Sequence, residues 1–437
     1  MSPGEVLPDD VRRRIDKIRR ADILVGIPCF ENEDTVGGVA IAVEAGLRKH
    51  FPELRAVICA SDGGSSDRSR QTFMEAQVGE RAEALLVPPQ TPVPEKLCFQ
   101  YTSIPGKGSA LHAIFEVART LGAKACAVLD ADLRSITPYW IDRLLTPVVH
   151  HGYEFVAPVY ARHKYDGTIT NSLAYPLTTA LYGMRIRQPI GGDFAFSGDL
   201  AAFYADQGMW RTDVARFGVD VWMTTAAVVE GRRICQSILG AKLHDPKDPG
   251  RHLAPMFRQV VGTLFDLAGD YADRWAKERR VVTPPTFGFR AAYSAEPIDV
   301  SIPRLTWQFV DGYVRNHELW RRVLSAESMT DVEAAVGAAS ESGRGLVVDA
   351  RLWTTIVYDY LLAYHRADID RDELLSSLIP LYFARVATFV EDTREDSHTE
   401  AERKVEQAVD LAVELKPYLR ERWERPRLRE APASRPA

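Results

Sequence analysis

Two aspartates directly follow a short apolar segment in the first third of the chain. The segment is Ala127–Leu129, and Asp130 and Asp132 come after it on either side of Ala131. Residues i and i+2 of a strand point to the same side, so the two carboxylates should converge beyond the end of the strand. Oxygen ligands suit Mg²⁺ or Mn²⁺, which can also bridge phosphate oxygens. The pair predicts a divalent-cation site, although a DxD sequence also arises by chance.

Two more polar loops follow apolar segments. The first contains Pro28 and Glu33 in the sequence IPCFENE, and the second contains Asp62 in SDGGSSD. The first loop could form a nucleotide-base pocket, and Asp62 could accept a hydrogen bond from a base or a ribose hydroxyl. The alternatives are an acidic helix N-terminus favoured by the helix dipole and a turn that caps a helix. The residue types alone favour neither interpretation.

A lysine between two glycines, Lys107 in IPGKGS, precedes a helical segment. The spacing differs from a Walker A loop, which needs four residues between its first glycine and its Gly-Lys pair. A lysine at a helix start can still reach a diphosphate, helped by free backbone N–H groups. An ordinary turn explains the same residues equally well.

These polar residues need a scaffold, and the chain from Ala21 to about Gly240 predicts one. Short β-branched runs alternate with amphipathic helical stretches, the pattern of a mostly parallel α/β sheet. The predicted strands are Ile23 to Pro28, Leu54 to Ala60, Ala84 to Val87 and Lys124 to Leu129. The predicted helices run from Thr35 to Phe51, from Ser66 and from near Ser109, and LVPPQTPVPEK is predicted to be an irregular loop. Ligands bind beyond the carboxyl ends of such strands, where the polar residues lie.

The length of 437 residues favours more than one domain. We predict a catalytic α/β domain over 1–290, with a nucleotide-binding half at 21–132 and an acceptor half at 133–290. A helical region should follow at 300–425, and a disordered tail at 426–437. Apolar residues recur at helical spacing in the helical region, and we expect its aromatic residues to be core. This region should be structural, and it could form a homodimer.

Composition excludes several classes of partner. The net charge is −6 and the basic residues are interleaved with acids, so we expect no nucleic-acid or membrane partner. Neither a run of ~20 apolar residues nor a signal-peptide core occurs, which predicts a cytoplasmic protein. Four of the five cysteines lie in apolar runs without CxxC spacing, and we expect reduced core thiols at Cys29, Cys59, Cys126 and Cys235.

Taken in order along the chain, the motifs resemble those of retaining glycosyltransferases of the GT-A fold. They are IPCFENE, DGGSSD, PGKG, DAD, QPIGGD, FGVD and LHD. The likeness is greatest to the mannosylglycerate, glucosylglycerate and glucosyl-3-phosphoglycerate synthases, and it covers roughly Asp22 to Val261. The motifs are specific because several appear in the same order.

The resemblance implies a role for each motif. Implied donor-binding residues are Pro28, Glu33, Asp62, Lys107, Asp130, Ala131, Gly191, Gly192 and Asp220. Implied metal ligands are Asp130, Asp132 and His244, and implied acceptor-binding residues are Arg162, Thr168 and Thr170. The implied catalytic residues are Lys107 on the diphosphate, Asp220 on the sugar hydroxyls and the backbone of Ile190 facing the anomeric centre. Outside this motif order, His244 would be taken for a surface histidine.

Two departures from the family pattern affect the expected ligands. The family has NEE after its first strand, whereas this chain has Glu31-Asn32-Glu33, which puts the base contact in doubt. The phosphoglycerate enzymes are expected to carry an arginine where this chain has Thr168. A phosphate needs dedicated cations, so Thr168 favours unphosphorylated glycerate unless Lys164 or another cation substitutes.

The resemblance implies transfer of glucose or mannose from a UDP- or GDP-hexose to the 2-hydroxyl of D-glycerate, with Mg²⁺ or Mn²⁺ and retention of configuration. The same transfer to 3-phosphoglycerate is the alternative. A sugar-1-phosphate nucleotidyltransferase is a second class, but its glycine-rich loop would be expected where this chain has PCFENE. A non-catalytic sugar-nucleotide sensor is a third, and the intact DxD with His244 argues against it.

Overall fold

The computed structural model describes residues 6–79, 91–243, 249–289, 298–342 and 347–425. It divides the chain into two compact units, Met1–Leu267 with Arg279–Ile298, and Ala268–Glu278 with Asp299–Ala437. The region predicted to be helical, 300–425, falls within the second unit. The segment 268–278, which the sequence places in the acceptor half, clusters with that second unit.

The first unit is built around an eight-stranded sheet. Its strands are β1 Ile23–Cys29, β2 Ala56–Asp62, β3 Glu95–Gln100, β4 Ala125–Val128, β5 Phe155–Ala161, β6 Phe194–Ser197, β7 Ile234–Ala241 and β8 Thr286–Phe287. Their spatial order is β3-β2-β1-β4-β6-β5-β7-β8. Within the described residues every pairing is parallel except those of β6, which runs antiparallel to β4 and β5. The predicted mostly parallel α/β architecture is confirmed.

Helices cover this sheet. They are α1 Asp9–Ile18, α2 Val36–His50, α3 Ser69–Glu75, α4 Lys107–Leu121, α5 Pro138–His151, α6 Tyr175–Tyr182, α7 Gly198–Ala205 and α8 Val219–Val229. Helix α9, Pro249–Asp270, begins in the first unit and ends in the second. Apolar residues of β1, α2 and α5 share one core cluster. Strand β1 is almost continuously buried, as expected for a central parallel strand. The five cysteines are free thiols, four of them buried and Cys98 half-buried.

The sequence predicted several of these elements and missed others. Strands β1, β2 and β4 and helices α2, α3 and α4 lie where they were predicted. The predicted strand Ala84 to Val87 lies outside the described residues. Strand β3 was missed because it begins at the end of the proline-rich segment. Among the described strands it pairs with β2 alone. Its end residues are exposed, and Leu97 and Phe99 between them are buried.

The second unit is helical, as predicted. Its helices are α10 Ala272–Trp275, α11 Ile302–Val323, α12 Ala326–Ser342, α13 Ala350–Arg366, α14 Arg371–Asp392, α15 His398–Glu414 and α16 Lys416–Glu424. The aromatic residues expected in its core are buried, including Trp353 and Tyr360. Among the described helices α14 alone is long and apolar enough to cross a membrane. However, 72% of its apolar window is buried inside the protein, as in a core helix.

Candidate active site

Three carboxylates and two ammonium groups form one cluster at the carboxyl edge of the sheet. Asp130 follows β4, Lys242 follows β7, and Asp193 immediately precedes β6. Lys107 is the first residue of α4, and Asp220 lies in the first turn of α8. The parallel strands therefore deliver side chains from distant parts of the sequence to one place.

Lys107 bridges two of the carboxylates. Its Nζ lies 2.8 Å from Asp130 Oδ1 and 3.1 Å from Asp220 Oδ2. Burial alone would lower the pKa of Lys107, but the two carboxylates outweigh burial and raise that pKa above its usual value. The other oxygen of Asp220, Oδ1, is buried and has no hydrogen-bond partner among the described residues. The structure thus brings together three predicted site residues and leaves one acceptor atom unsatisfied.

Lys242, which the sequence analysis did not single out, occupies the other side of Asp130. Its Nζ lies 2.8 Å from Asp130 Oδ2, 2.8 Å from Asp193 Oδ2 and 2.9 Å from the carbonyl oxygen of Gly191. The hydroxyl of Tyr160 donates to Asp193 and lies 3.0 Å from the Gly191 oxygen. Burial would raise the pKa of Asp130, but the two lysines hold it well below its usual value. The only sequence signal was a lysine directly after an apolar strand.

The QPIGGD turn packs directly on these charges. Gly192 has φ +85°, and a Cβ built there would lie 2.1 Å from Asp130 Oδ2. A Cβ on Gly191 would lie 2.4 Å from Pro158 Cγ. Both positions therefore require glycine, one for its backbone conformation and both for the close approach. The half-buried Ile190 precedes this pair, so its backbone is fixed by the turn.

The glycines beside the predicted phosphate-binding lysine have a packing role. A Cβ on Gly108 would lie 1.8 Å from the carbonyl oxygen of Val214. The N–H of Gly108 donates to the Arg216 oxygen at 3.1 Å, and the N–H of Gly106 donates to the Tyr101 hydroxyl at 2.9 Å. These two N–H groups are therefore not the free donors that the sequence analysis expected at this helix start.

Acidic side chains form hydrogen bonds between the loop after β1 and the loop after β2. The carboxylate of Glu33 accepts from the N–H of Arg68 at 2.9 Å, and the N–H of Glu33 donates to Asp67 at 3.1 Å. Glu31, at φ +54°, accepts from the N–H of Ser66 at 3.1 Å and from its hydroxyl at 2.8 Å. Glu33 thus has a structural function here, and its contact with a base stays a prediction.

Asp62 is fully buried and stabilises the turn that follows it. Its Oδ2 accepts from the N–H groups of Gly64 and Ser65, each at 3.0 Å, and its Oδ1 accepts from the Ser65 hydroxyl at 2.5 Å. This arrangement is the aspartate-stabilised turn that was the structural alternative. A contact between Asp62 and a ribose would have to add to these hydrogen bonds.

Pro28 and Ala131 lie near neighbouring strand ends. Pro28 is a half-buried residue of β1, a strand that pairs with both β2 and β4. The hydroxyl of Thr35 donates to the carbonyl oxygen of Ala131 at 2.8 Å. This hydrogen bond ties the loop after β1 to the DAD segment, so the predicted base pocket and the predicted metal site adjoin each other.

Of the three predicted metal ligands, the structure describes Asp130 and Asp132. Among the described residues no group of three or more His, Cys, Asp or Glu side chains could hold a metal ion. His244 lies outside the described residues. The chain leading to it is fixed, because Leu243 donates to Ser135 Oγ at 2.9 Å and accepts from the N–H of Arg134 at 2.9 Å. A carboxylate and an imidazole are ligand types that suit a divalent ion, and the pair Asp132 and His244 stays a prediction. Asp130 fits less well, because lysines hold both its oxygens.

The predicted acceptor residues lie close together. Arg162 stacks on the ring of Tyr160 with its guanidinium carbon 4.9 Å from the centroid, and its Nη1 lies 3.6 Å from Asp166. Its Nε is buried without a hydrogen-bond partner among the described residues. A Cβ on Gly167 would lie 3.3 Å from Arg162 Nη1 and 3.8 Å from Thr170 Oγ1. Tyr160 therefore links the predicted acceptor region to the charged cluster.

Thr168 and a second arginine lie in the same region. The carbonyl oxygen of Thr168 accepts from Ser172 at 2.6 Å, inside the turn that leads to the π-helix Thr170–Ala174. The guanidinium of Arg187 donates to the side chain of Asn171 at 2.9 Å. Arg187 was not among the predicted residues because it lies outside the segment in which a phosphate-binding arginine was expected.

Comparisons with known proteins give structural likeness only. The chain is similar to solved structures of glucosyl-3-phosphoglycerate synthase from Mycobacterium tuberculosis. The complex with phosphoglyceric acid is 24% identical, with a TM-score of 0.40, over 59% of this chain and 82% of that chain. The complex with Mg²⁺ and UDP is 22% identical, with a TM-score of 0.42, over 58% and 83%. No family model and no curated protein matches. What this chain binds must therefore be inferred from its own side chains.

Proposed function

We propose that this chain transfers a hexosyl group from a nucleoside diphosphate sugar to the 2-hydroxyl of D-glycerate, with retention of configuration. The observation that carries the proposal is the Lys107 bridge between Asp130 and Asp220. Asp220 Oδ1 is buried and has no hydrogen-bond partner in the part of the chain that the structure describes. A buried acceptor without a donor costs free energy, which a ligand hydroxyl can recover. A sugar supplies such hydroxyls beside the diphosphate that a lysine would hold.

The roles of the side chains follow from their contacts. Lys107 would turn its ammonium group from the carboxylates towards the donor diphosphate and stabilise the charge that develops on the leaving group. Asp220 would accept hydrogen bonds from the sugar hydroxyls through Oδ1. The Ile190 backbone would lie below the anomeric carbon, because the glycine turn after it packs on Asp130.

A divalent cation, when bound, neutralises charge on the leaving diphosphate. Asp132 and His244 are the residues that would hold it, and Asp130 would contribute through its charge or by exchanging a lysine contact. Retention requires either a carboxylate nucleophile or front-side attack. Asp130, Asp193 and Asp220 are each paired with a lysine, which makes them poor nucleophiles. We therefore favour front-side attack.

The acceptor assignment rests on Arg162 and Thr170. One guanidinium whose buried Nε has no hydrogen-bond partner among the described residues suits one carboxylate, as in D-glycerate. Arg187 stands beside Asn171 and is a candidate cation for a second anionic group, so 3-phosphoglycerate remains the alternative acceptor. A nucleotidyltransferase and a non-catalytic sensor remain the candidates from other classes.

A donor and acceptor screen tests the proposal. Purified protein with Mg²⁺ or Mn²⁺ is incubated with UDP-glucose, GDP-glucose or GDP-mannose and with D-glycerate or 3-phosphoglycerate. We expect free nucleoside diphosphate and a glycosylated acid, with higher kcat/KM for D-glycerate. Release of pyrophosphate from a sugar phosphate and a nucleoside triphosphate would indicate the nucleotidyltransferase instead. Binding without turnover would indicate the sensor.

The variant Arg162→Ala separates the acceptor site from the donor site. It should reduce transfer to glycerate more than slow hydrolysis of the donor, because its predicted contact is with the acceptor alone. Arg351→Ala is the matched control, since that arginine is exposed and lies in the second unit. Equal losses of transfer and hydrolysis in Arg162→Ala would remove Arg162 from the acceptor site.

A further inference from the structure

All three ammonium hydrogens of Lys242 are used in contacts within the protein. An ammonium group carries three hydrogens, and the three contacts of Lys242 are Asp130 Oδ2 at 2.8 Å, Asp193 Oδ2 at 2.8 Å and the Gly191 oxygen at 2.9 Å. The residue is only 6% exposed. Lys242 therefore has no hydrogen left for a ligand, and any effect on a ligand must pass through the groups that it holds.

The groups that it holds define the glycine turn. The carbonyl oxygen of Gly191 accepts from Lys242 and lies 3.0 Å from the Tyr160 hydroxyl, and Asp193 contacts the same two side chains. A Cβ on Gly192 would lie 2.1 Å from Asp130 Oδ2 and 3.0 Å from Lys242 Nζ. The backbone of the turn is therefore packed against the ion pair itself, and loss of the ammonium group would release the turn.

The two lysines on Asp130 differ in exposure. The Lys107 side chain is 17% exposed and the Lys242 side chain 4% exposed. A diphosphate can draw the more accessible Lys107 away from Asp130. Asp130, a half-buried carboxylate with a side chain 22% exposed, would then have lost one partner, which is costly unless a second cation stays in place. Lys242 supplies that second cation.

We propose that Lys242 is a positioning residue, a permanent internal cation that fixes the Gly191–Asp193 turn under the donor sugar while Lys107 exchanges between Asp130 and the ligand. The identity of the ligand rests on the proposed function, whereas the clamping of the turn does not. The two parts are therefore tested by separate measurements.

The first measurement is amide hydrogen exchange in the free protein. Lys242→Met keeps the length of the side chain and removes its charge. We expect amides of residues 190–194 to exchange about tenfold faster, with β1 and β2 unchanged. Lys124→Met is the matched control, because that side chain is 82% exposed. Unchanged exchange in the turn would overturn the clamp. If Lys242→Met does not fold, the double variant Lys242→Met/Asp193→Asn, which removes one unpaired carboxylate, is measured in the same way.

The second measurement separates positioning from general structural support. Calorimetry with Mg²⁺ compares UDP with UDP-glucose, or GDP with GDP-mannose if the wild type binds those. In Lys242→Met the Kd for the nucleotide sugar should rise about tenfold, and the Kd for the nucleoside diphosphate should stay within about threefold. Equal weakening of both ligands would overturn the positioning role. A wild-type protein that binds none of the four ligands would defeat the proposed function, and hydrogen exchange would still decide the clamp.

Discussion

Lys107 is the side chain whose removal should change ligand binding most directly. It joins Asp130 to Asp220 and is the more exposed of the two lysines in the cluster. Loss of one charge-assisted contact costs about 1.5–3 kcal/mol, which is roughly a ten- to hundredfold change in affinity. Lys107→Ala should therefore weaken nucleoside diphosphate binding by that factor in calorimetry. Lys124→Ala should bind as the wild type does. An unchanged Kd in Lys107→Ala would leave the glycines of this segment with a packing function only.

Metal dependence is expected to rest on Asp132. Asp132 is predicted to hold a divalent ion together with His244, and the residue before His244 is hydrogen-bonded to Arg134 and Ser135. EDTA should abolish transfer, and Mg²⁺ or Mn²⁺ should restore it. Asp132→Ala should lose the high-affinity Mn²⁺ signal in an electron paramagnetic resonance titration while its circular dichroism stays unchanged. Full activity in the presence of EDTA, or wild-type Mn²⁺ affinity in Asp132→Ala, would contradict this assignment.

A site residue could be predicted from the sequence only where its local surroundings or motif marked it. Lys107 and Asp130 were predicted from their places at a helix start and after a strand, and Asp220 was predicted from the resemblance of the FGVD motif. Lys242 was not, because a lysine after a strand is ordinary and its partner Asp130 is 112 residues away. Their contact depends on β6 and β5 lying between β4 and β7. That strand order is a property of the tertiary structure and cannot be obtained from local spacing.

At the scale of elements, the central strands and helices were predictable and the edge strand was not. Strand β1 is buried on both faces, so its continuous apolar run identifies it. Strand β3 carries exposed residues at both ends and follows prolines, so its hydrophobic pattern does not identify it as a strand. The antiparallel β6 has only the four residues Phe194–Ser197. Neither its direction nor the hydrogen bonds between the loops after β1 and β2 left a signal in the hydrophobic pattern.

The packing of helix α2 against α5 can be tested at two glycines of α2. A Cβ on Gly46 would lie 2.6 Å from Ile141 Cβ in α5, whereas a Cβ on Gly38 would meet nothing within 4 Å. Gly46→Ala should therefore lower the free energy of unfolding by about 1–3 kcal/mol through overpacking. Gly38→Ala should raise it by about 0.5–1 kcal/mol, since alanine loses less entropy in a helix. Urea denaturation of the full chain measures both. If the two variants shift the midpoint in the same direction, the proposed contact between α2 and α5 is wrong.

At the scale of the whole molecule, each unit has its own arrangement of elements. The first is a sheet covered by helices, and the second is a set of helices with buried aromatic residues. The structure divides into two compact units, and the domain bounds predicted from the sequence stay a prediction. A homodimer and a cytoplasmic location stay predictions, and light scattering of the full chain at micromolar concentration tests the first.

The buried histidine His112 should make the free energy of unfolding depend on pH. His112 in α4 is 5% exposed and stacks on Trp210 with ring centroids 4.3 Å apart. Its Nε2 lies 3.2 Å from the carbonyl oxygen of Ala205 and 3.9 Å from Glu116. Burial is the main cause that lowers the pKa of His112 from 6.5 to about 4. The folded protein therefore favours the neutral ring.

The sign of the pH effect follows from this shift. Between pH 6.5 and about 4 the unfolded chain binds a proton at His112 that the folded chain does not, so stability falls as the pH falls. From pH 7 to 4.5 this group should cost about 2 kcal/mol of the free energy of unfolding. His112→Phe keeps a ring against Trp210 and removes the titration. Urea unfolding at both pH values should show the wild type losing about 2 kcal/mol more than the variant. Groups that do not contact His112 cancel in the difference. The neighbouring Glu116, whose pKa burial raises, is removed by making both measurements in a Glu116→Gln background. Equal losses would then mean that the fold accommodates a charged His112.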